Sequence, residues 1–345
     1  MKKFVAILLT LMLVLGIGAA VADEAPATPT TDKKTVTIYK SYKNVNDNGI
    51  SPEETFTLEQ VGDGKVVDGE DKGKVAPHLG TITGATYADY GATTTGAKLG
   101  ITVELPSYDK VGVYEYTLKE VAGTTAGVTY YGQNIKLVVT VVNGQNNNLL
   151  RIAGVHTESS GDKSDTFENT YSAGILTVDK QVKGNLGDKN KEFSFTVTFM
   201  APEGKNWIRT RNGGEYSNLT FATNEYGDVD AQNPTIVDGK ISYTLTLKNG
   251  GRVSFGNLPY GVSYTVTETG AEEKDGVLMN GDYKVTMTGN VGVIDSAATE
   301  AKFVNTKEGS IDTGVTTENL PYVLLIGFVV LAGAALLIKC KAHNN

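Results

Sequence analysis

The chain carries the same three-part pattern twice, and this repeat restricts the fold more than any other feature of the sequence. Each copy has an alternating apolar segment that ends in Lys, a segment that starts with Gly-Val and ends in Glu, and a Phe-x-Asn-Thr segment. In chain order the six segments are Val36–Lys40, Gly112–Glu120, Phe167–Thr170, Leu176–Lys180, Gly261–Glu268 and Phe303–Thr306. The repeat predicts two copies of one fold that meet near residue 172.

Both copies have the composition of β-structure. Short segments rich in Thr, Val, Ile and Tyr are separated by clusters of Gly, Asn and Asp, which favour turns. Strands this short at this spacing predict a sandwich or a small barrel. We also predict a hairpin turn at the Gly-rich segment Asn249–Gly251. The predicted strands are 35–40, 55–59, 99–104, 112–120, 136–142, 166–170, 175–182, 192–199, 240–247, 252–255, 263–269, 283–288 and 301–306.

The boundaries of the two predicted domains follow from the repeat. We expect an N-terminal domain over residues 35–171 and a C-terminal domain over residues 174–307, joined by a short Ser-Ala-Gly segment. Each is long enough to bury its own core. Residues 23–34 contain two prolines and have no apolar periodicity, so they predict a flexible lead-in.

The two ends of the chain have the pattern of export and anchoring segments. Residues 1–22 have two lysines, an apolar run and an Ala-Val-Ala site, which predicts a signal peptide and a mature chain that starts at Asp23. Residues 320–338 form an apolar run that would span roughly 28 Å as a helix, close to the thickness of a bilayer core. Lysines follow it, so the tail is expected on the cytoplasmic side.

Cysteine content and charge exclude several classes of protein. Cys340, the one cysteine of the sequence, lies in the C-terminal tail, so the exported part cannot form disulfides and a different covalent cross-link becomes a reasonable expectation. The formal net charge is −8, which argues against nucleic acid as a partner. The histidines are scattered, so neither a metal site nor a His-based catalytic triad is predicted, and no cofactor is expected.

The repeated Lys, Glu and Asn have the chemistry needed for an amide bond between two side chains. A lysine attacks an amide carbon only as a neutral amine, and burial among aromatic residues lowers the pKa of a lysine. A buried carboxylic acid can hydrogen-bond the Asn side chain and pass protons to the departing ammonia. In a single β domain these three residue types usually lie on the surface, but their repetition in the same order favours the reactive interpretation. The aromatic neighbours predicted for the first copy are Tyr39, Phe56, Tyr116 and Phe167.

The motifs resemble those of the shaft pilins of Gram-positive bacteria, in particular the two-domain streptococcal type with Lys–Asn isopeptide bonds. The resemblance covers nearly the whole chain and implies an all-β protein with two tandem immunoglobulin-like, CnaB-like sandwich domains, in which the first and last strands are adjacent. It implies cross-links between Lys40 and Asn169 and between Lys180 and Asn305. In the implied mechanism Glu120 and Glu268 assist a single-turnover reaction of the protein with itself, and the chain is not an enzyme.

Residues 308–345 resemble a cell-wall sorting signal. Thr313 and Gly314 precede the apolar run and the basic tail, so we predict that a sortase cleaves between them. The usual form is Leu-Pro-x-Thr-Gly, and Ser310 and Ile311 stand where Leu and Pro are expected, which favours a dedicated pilin sortase. A plain single-span anchor with an incidental Thr-Gly is the alternative.

A shaft pilin also needs a nucleophile that receives the Thr of another subunit. By resemblance this is a lysine a few residues before the bonding Asn, and Lys163 is the candidate, one position away from the register of the family. The expected partners are other copies of the chain in a head-to-tail polymer, a pilin sortase, tip or base pilins and peptidoglycan. The expected location is a wall-anchored surface pilus that passes through a transient membrane precursor.

Two further hypotheses belong to other classes of protein. One is a wall-anchored monomeric adhesin with the same domains, which would bind a host or matrix ligand. The other is an anchored hydrolase, which would need converging acid and base groups that the sequence does not show.

Overall fold

The computed structural model describes residues 33–46, 49–144, 149–211, 214–216, 218–232, 234–310, 324–326, 329–330 and 332. The predicted signal peptide and most of the lead-in lie outside these residues, as does most of the predicted span 320–338. Within the described ranges no helix has both the length and the apolar character needed to cross a bilayer. The described residues between 33 and 310 form β-strands and the turns between them, as the sequence predicts.

The first half of the chain contains β1 to β13. Their bounds are β1 Thr35–Asn44, β2 Glu54–Phe56, β3 Leu58–Gln60, β4 Lys65–Gly69, β5 Ile82–Thr83, β6 Ala85–Tyr87, β7 Ala97–Glu104, β8 Gly112–Glu120, β9 Val128–Thr129, β10 Ile135–Asn143, β11 Leu150–Ser159, β12 Asp162–Lys163 and β13 Thr166–Tyr171.

The second half contains β14 to β28. Their bounds are β14 Ala173–Lys183, β15 Phe193–Met200, β16 Arg209–Arg211, β17 Gly214–Tyr216, β18 Thr220–Thr223, β19 Gly227–Val229, β20 Thr235–Val237, β21 Lys240–Leu247, β22 Arg252–Pro259, β23 Ser263–Glu268, β24 Ala271–Lys274, β25 Val277–Asn280, β26 Tyr283–Thr288, β27 Val291–Val293 and β28 Ala298–Thr306.

Each half is built mainly from two sheets. In the first half one sheet has the order β5-β7-β1-β13-β9, and the other has the order β12-β11-β10-β8-β3 with β4 also paired to β8. In the second half the orders are β18-β22-β14-β28-β26-β25-β24 and β19-β21-β15-β23-β27, with β20 paired to β21. The sheets of each half bury one apolar cluster, so residues 33–310, as far as they are described, contain two separate cores.

The first and last strands of each half lie side by side and run parallel. In the pairing of β1 with β13, Lys40 lies opposite Phe167; in the pairing of β14 with β28, Lys180 lies opposite Phe303. These two phenylalanines begin the Phe-x-Asn-Thr motifs, so the register is the same in both halves. Because side chains alternate along a strand, the Lys of one strand and the Asn of the next point to the same face, into the core.

The two halves are joined by a hydrogen-bonded junction. Asn257 is buried and has a φ of 57°, in the left-handed region that Asn adopts more readily than most residues. Its side chain accepts hydrogen bonds from the Ile50 N–H at 2.7 Å and the Tyr171 hydroxyl at 3.2 Å, and donates to the carbonyls of Ile50 and Asn218. One side chain of the second half therefore bonds backbone and hydroxyl groups of the first.

Three predicted strands, Gly112–Glu120, Lys240–Leu247 and Tyr283–Thr288, have the observed bounds. The ten-residue strand β11 was not predicted. Its alternation is interrupted by polar and small residues, and its position is settled by its pairing with β10.

The prediction of a hairpin at Asn249–Gly251 was wrong. The turn connects β21 with β22, which belong to different sheets, so the chain crosses from one sheet to the other at this point. Gly250 has a φ of 80°, a conformation that favours glycine. This local requirement does not determine which strands β21 and β22 pair with. A turn signal alone does not decide whether the next strand pairs with the previous one.

Candidate functional site

Lys40, Glu120 and Asn169 meet inside the core of the first half. Lys40 and Asn169 lie on the neighbouring strands β1 and β13, while Glu120 is the last residue of β8 in the other sheet. Lys40 and Asn169 have no exposed surface and Glu120 is 3% exposed. The three residues that the sequence analysis selected are therefore brought together from two sheets.

The carboxylate of Glu120 bridges the other two side chains. Lys40 Nζ donates to Glu120 Oε2 at 2.5 Å and to Asn169 Oδ1 at 2.9 Å. Asn169 Nδ2 donates a short hydrogen bond to Glu120 Oε1. One oxygen of the carboxylate thus contacts the amine and the other contacts the amide nitrogen.

Tyr131 adds two contacts that the sequence analysis missed. Its backbone N–H donates to Asn169 Oδ1 at 3.0 Å, so the amide oxygen has a fixed donor. The ring lies 5.3 Å from Lys40 Nζ, and Phe56 lies 5.8 Å from the same atom. Tyr39, which the sequence analysis placed among these aromatic residues, is instead 42% exposed, because it alternates with Lys40 on β1 and faces outward.

Burial decides the charge state of the lysine. Removal from water lowers the pKa of Lys40 below its ordinary value, and the nearby Glu120 carboxylate partly opposes this effect. Contacts between the ammonium and the aromatic rings replace only part of the interaction with water that burial removes. The site therefore favours the neutral amine more than water does.

The second half repeats the arrangement with Lys180, Glu268 and Asn305. Lys180 Nζ donates to Glu268 Oε2 at 2.9 Å, and Asn305 Nδ2 donates to Glu268 Oε1 at 2.5 Å. Lys180 and Asn305 have no exposed surface. The ring of Phe193 lies 4.0 Å from Lys180 Nζ and that of Phe195 lies 5.3 Å from it.

The lysine of the second half is also shifted toward the neutral form. Burial lowers the pKa of Lys180 to about 8, Glu268 opposes the shift, and the positive charge of Lys191 adds to it. A lysine with a pKa of about 8 is roughly one-tenth neutral at pH 7, far more than an ordinary lysine.

The two sites differ around the amide group. In the first half, Asn169 Oδ1 accepts hydrogen bonds from Lys40 and from the Tyr131 backbone. In the second half, Asn305 Oδ1 is buried and has no hydrogen-bond donor among the described residues. Glu268 there has an additional donor, Asn280 Nδ2, at 2.7 Å from Oε1.

Each arrangement is suited to the attack of a lysine on an asparagine. An amine attacks an amide effectively when it is neutral and held beside it, and when a general acid–base group contacts both the amine and the leaving nitrogen. A single carboxylate meets the last condition in both halves. Among the described residues no group of three or more His, Cys, Asp or Glu side chains is placed to hold a metal ion.

Lys163 lies apart from these sites, at the surface. It is exposed and belongs to β12, which follows a tight turn with Ser160 at a φ of 52° and Gly161 at 88°. It lines a cleft of about 430 Å³ together with Thr37, His156 and Asp165. Thr313 and Gly314, the predicted sortase site, lie outside the described residues.

Comparisons with known proteins show that the chain is similar to pilins. The family described as the Spy0128-like isopeptide containing domain matches residues 33–172, and a domain of unknown function (DUF7601) matches residues 174–307. A pilin of Streptococcus pyogenes serotype M1 is 27% identical over 324 residues, which cover 89% of this chain and 90% of the relative. This chain is a pilin homologue.

Other relatives of this pilin homologue are a tip protein and a solved pilin. The pilus tip adhesin Cpa of S. pyogenes is 33% identical over 151 residues, which cover 41% of this chain but 18% of the adhesin. The crystal structure of the major pilin from S. pyogenes is 21% identical, and the match covers 81% of this chain and 100% of that chain, with a TM-score of 0.50. At this identity the likeness is one of fold.

Two contacts at these sites, those of Tyr131 and Asn280, could not have been predicted from the sequence of this pilin homologue. Tyr131 acts through its backbone N–H, which every residue except proline possesses, so the residue type carries no information. Asn280 lies 12 residues after Glu268 in a part of the second half that the repeat does not cover. The repeat could reveal only what both halves share.

The lowered pKa of Lys180 predicts how stability depends on pH when the amine stays free. In an Asn305→Ala variant, the unfolded chain holds a proton on Lys180 between the folded pKa of about 8 and the ordinary value of 10.5, and the folded chain does not. The free energy of unfolding should therefore rise with pH across this window, by up to about 1.4 kcal/mol per unit.

The measurement is denaturant unfolding at several pH values, with an Asn305→Ala, Lys180→Met variant as the control. The control should lack this component of the pH dependence. Equal slopes in the two variants would contradict the shift at Lys180.

Proposed function

We propose that this pilin homologue is the structural subunit of a covalently polymerised, sortase-assembled surface pilus. Its two immunoglobulin-like, CnaB-like domains are each closed by an amide bond, between Lys40 and Asn169 and between Lys180 and Asn305. The observation that supports this most directly is the repeated carboxylate, which contacts the lysine and the asparagine nitrogen in both halves.

The proposed reaction balances within the three side chains. The proton of the lysine ammonium passes to Oε2 of the glutamate, which leaves a neutral amine. Nζ then attacks Cγ of the asparagine, the new Nζ–Cγ bond forms and the Cγ–Nδ2 bond breaks. The proton held by the carboxyl group, together with one from Nζ, leaves on the departing nitrogen as ammonium. Each site reacts once, so the protein does not turn over.

The position of the bonds favours mechanical and thermal resistance. The Lys40–Asn169 bond would close a loop in which the two residues are 129 positions apart. In the chain-entropy treatment a loop of this length adds about 5 kcal/mol to the free energy of unfolding. A chain without exported thiols would gain in this way what other secreted domains gain from disulfides.

The positions of the two ends support head-to-tail assembly. Tyr39 pairs with Thr166, and β13 then runs from this end toward β14, so Lys163 lies at the end of the first half that faces away from the second. In the second half Thr306 pairs with Lys183, at the end of β14 far from the junction. A subunit joined from Lys163 to Thr313 of its neighbour would extend in one direction.

The C-terminal segment supports sortase as the enzyme that joins subunits. Thr313 and Gly314 precede the predicted span, so a sortase thiol would attack the carbonyl of Thr313 and release the tail. Lys163 of the next subunit would then take up the Thr313 acyl group. The last subunit would be transferred to peptidoglycan, which places the finished polymer on the cell wall, with tip or base pilins at its ends.

The load would follow different paths in the two halves. Tension that enters at Lys163 reaches β14 through residues 164–172 and crosses from Lys180 to Asn305 before it leaves toward Thr313. The second bond is thus part of the load path. Residues 181–304, which lie between its two ends, would carry no tension. The first bond lies beside the path and fastens the loaded strand β13 to β1.

A wall-anchored monomeric adhesin is the alternative. The matched region covers 18% of the related tip adhesin but 90% of the related pilin, so the comparison favours the pilus subunit. The two hypotheses make opposite predictions about polymer formation.

The proposed bonds predict the mass of the purified chain. The intact mass should be lower than the sequence mass by two ammonias, because each amide bond releases one. Glu120→Ala and Glu268→Ala should each restore one, since the remaining lysine then lacks its proton acceptor. A single missing ammonia would limit the proposal to one half, and none would refute it.

The proposed polymer predicts a ladder of high-mass species. Wall extracts of cells that make the chain with its own sortase should show this ladder on denaturing gels, and Lys163→Ala should abolish it. Lys119→Ala, which removes an exposed lysine from β8 of the same half, is the matched control and should leave the ladder intact. A ladder that survives Lys163→Ala would assign the nucleophile elsewhere, and no ladder in the unmodified chain would favour the adhesin.

The load path predicts unequal effects of removing each bond. When single molecules are pulled between Lys163 and Thr313, the unmodified chain should not lengthen by unfolding. Asn305→Ala should allow residues 181–304 to extend by about 40 nm, at about 3.4 Å per residue. Asn169→Ala is the matched variant of the first half and should give no comparable step; a step of similar size would contradict the proposed path.

A further inference from the structure

Glu268 has a third side-chain donor that lies outside the repeated motifs. Asn280 Nδ2 donates to Glu268 Oε1 at 2.7 Å, and the same nitrogen lies 3.2 Å from the carbonyl oxygen of Thr269. Asn280 is half-buried at the end of β25. It contacts the carboxylate of the site but is neither the lysine nor the asparagine of the pair.

The orientation of the Asn280 amide is determined by its surroundings. Both neighbours of Nδ2, a carboxylate oxygen and a backbone carbonyl oxygen, are acceptors. The opposite orientation would place the Asn280 carbonyl oxygen against two other oxygens. Asn280 therefore acts as a donor toward Glu268.

A hairpin specific to the second half brings Asn280 to this place. β24 and β25 are joined by a turn with Asp275 at a φ of 51° and Gly276 at 76°, the pattern of a tight Asp-Gly hairpin. Ala271 and Leu278 pack against the apolar core of the second half, which fixes the position of the hairpin. In the described residues of the first half, β9 is the next strand after β8, and no such hairpin intervenes.

The three donors are distributed over the two oxygens of the Glu268 carboxylate. Oε1 accepts from Asn305 Nδ2 at 2.5 Å and from Asn280 Nδ2, while Oε2 accepts from Lys180 Nζ. A carboxylate oxygen has two lone pairs in the plane of the group, so the two amides occupy both lone pairs of Oε1. The lysine proton is then received at Oε2, and Oε1 stays aligned with the nitrogen that must leave.

We propose that Asn280 is a positioning residue for amide-bond formation between Lys180 and Asn305. It holds Glu268 Oε1 against the asparagine nitrogen and leaves Oε2 to take the lysine proton. It acts through Glu268 alone. The inference rests on the proposed function, because it concerns the rate at which the second bond forms.

The first half supplies an internal control. Its additional donor is the Tyr131 backbone N–H, which bonds the amide oxygen of Asn169 rather than the carboxylate. A change at Asn280 should therefore slow the second bond and leave the first bond unaffected in the same molecule.

The experiment follows both bonds in the full chain made by cell-free synthesis. Samples are denatured at timed intervals, and the cross-linked peptides from each half are quantified by mass spectrometry after proteolysis. Asn280→Ala should slow the Lys180–Asn305 bond about tenfold, the effect of one lost hydrogen bond to a charged group. Asn290→Ala, in the turn after β26, is the matched control and should have no effect, since Asn290 is not among the donors to Glu268 in the described residues.

An isosteric variant separates positioning from simple loss of structure. In Asn280→Asp the new carboxylate faces Glu268 at neutral pH, so the second bond should form more slowly than in Asn280→Ala. As the pH falls toward about 5 the new carboxyl group takes up a proton and can donate, so its rate relative to the unmodified chain should recover. A purely structural effect would not show this recovery.

The outcomes distinguish this inference from the proposed function. If the unmodified chain forms no second bond, the proposed function fails for that half. If the bond forms and Asn280→Ala leaves its rate unchanged, the positioning role is wrong while the proposed function stands. A slower first bond in Asn280→Ala would also overturn the inference, because it would indicate a general folding defect.

Discussion

The structure depends on a lysine, a glutamate and an asparagine that are held without water between two sheets. Burial of a single ammonium among Phe and Tyr rings would be very unfavourable, and the carboxylate of Glu120 or Glu268 compensates for it. The same burial moves the lysine toward its neutral, reactive form. Burial thus favours the neutral amine, while the carboxylate lowers the cost of burial and partly opposes the shift.

Strand order puts the two sites at equivalent positions in the two halves. The first and last strands of each half are parallel neighbours, so the site lies where the chain enters and leaves a domain. In the proposed polymer, an amide bond at the second site would carry the tension, and one at the first site would fasten β13 to β1 beside the load path. The hydrogen bonds of Asn257 to Ile50 and Tyr171 join the two halves at their junction.

The two halves have the same reactive groups but different supports. In the first half, the Tyr131 backbone N–H donates a hydrogen bond to the asparagine oxygen. In the second half, Asn280, which lies on an additional hairpin, donates a hydrogen bond to the glutamate carboxylate. The lysine, glutamate and asparagine therefore recur in both halves, while the groups that donate hydrogen bonds to them differ. Under the proposed function, these orienting groups would influence the rate of bond formation in each half.

Much of this protein follows from the sequence alone: the all-β composition, the repeat, and the Lys, Glu and Asn that meet in each half. These features are readable because strands have a period of two and because the same residues recur in the same order. Only the tertiary structure decided that the turn at Gly250 joins two different sheets, that Tyr39 faces outward, and that Tyr131 and Asn280 reach the sites. The reason is physical: which sheet a strand joins, and which backbone groups approach a side chain, depend on contacts between residues far apart in the chain, and local pattern carries no record of those contacts.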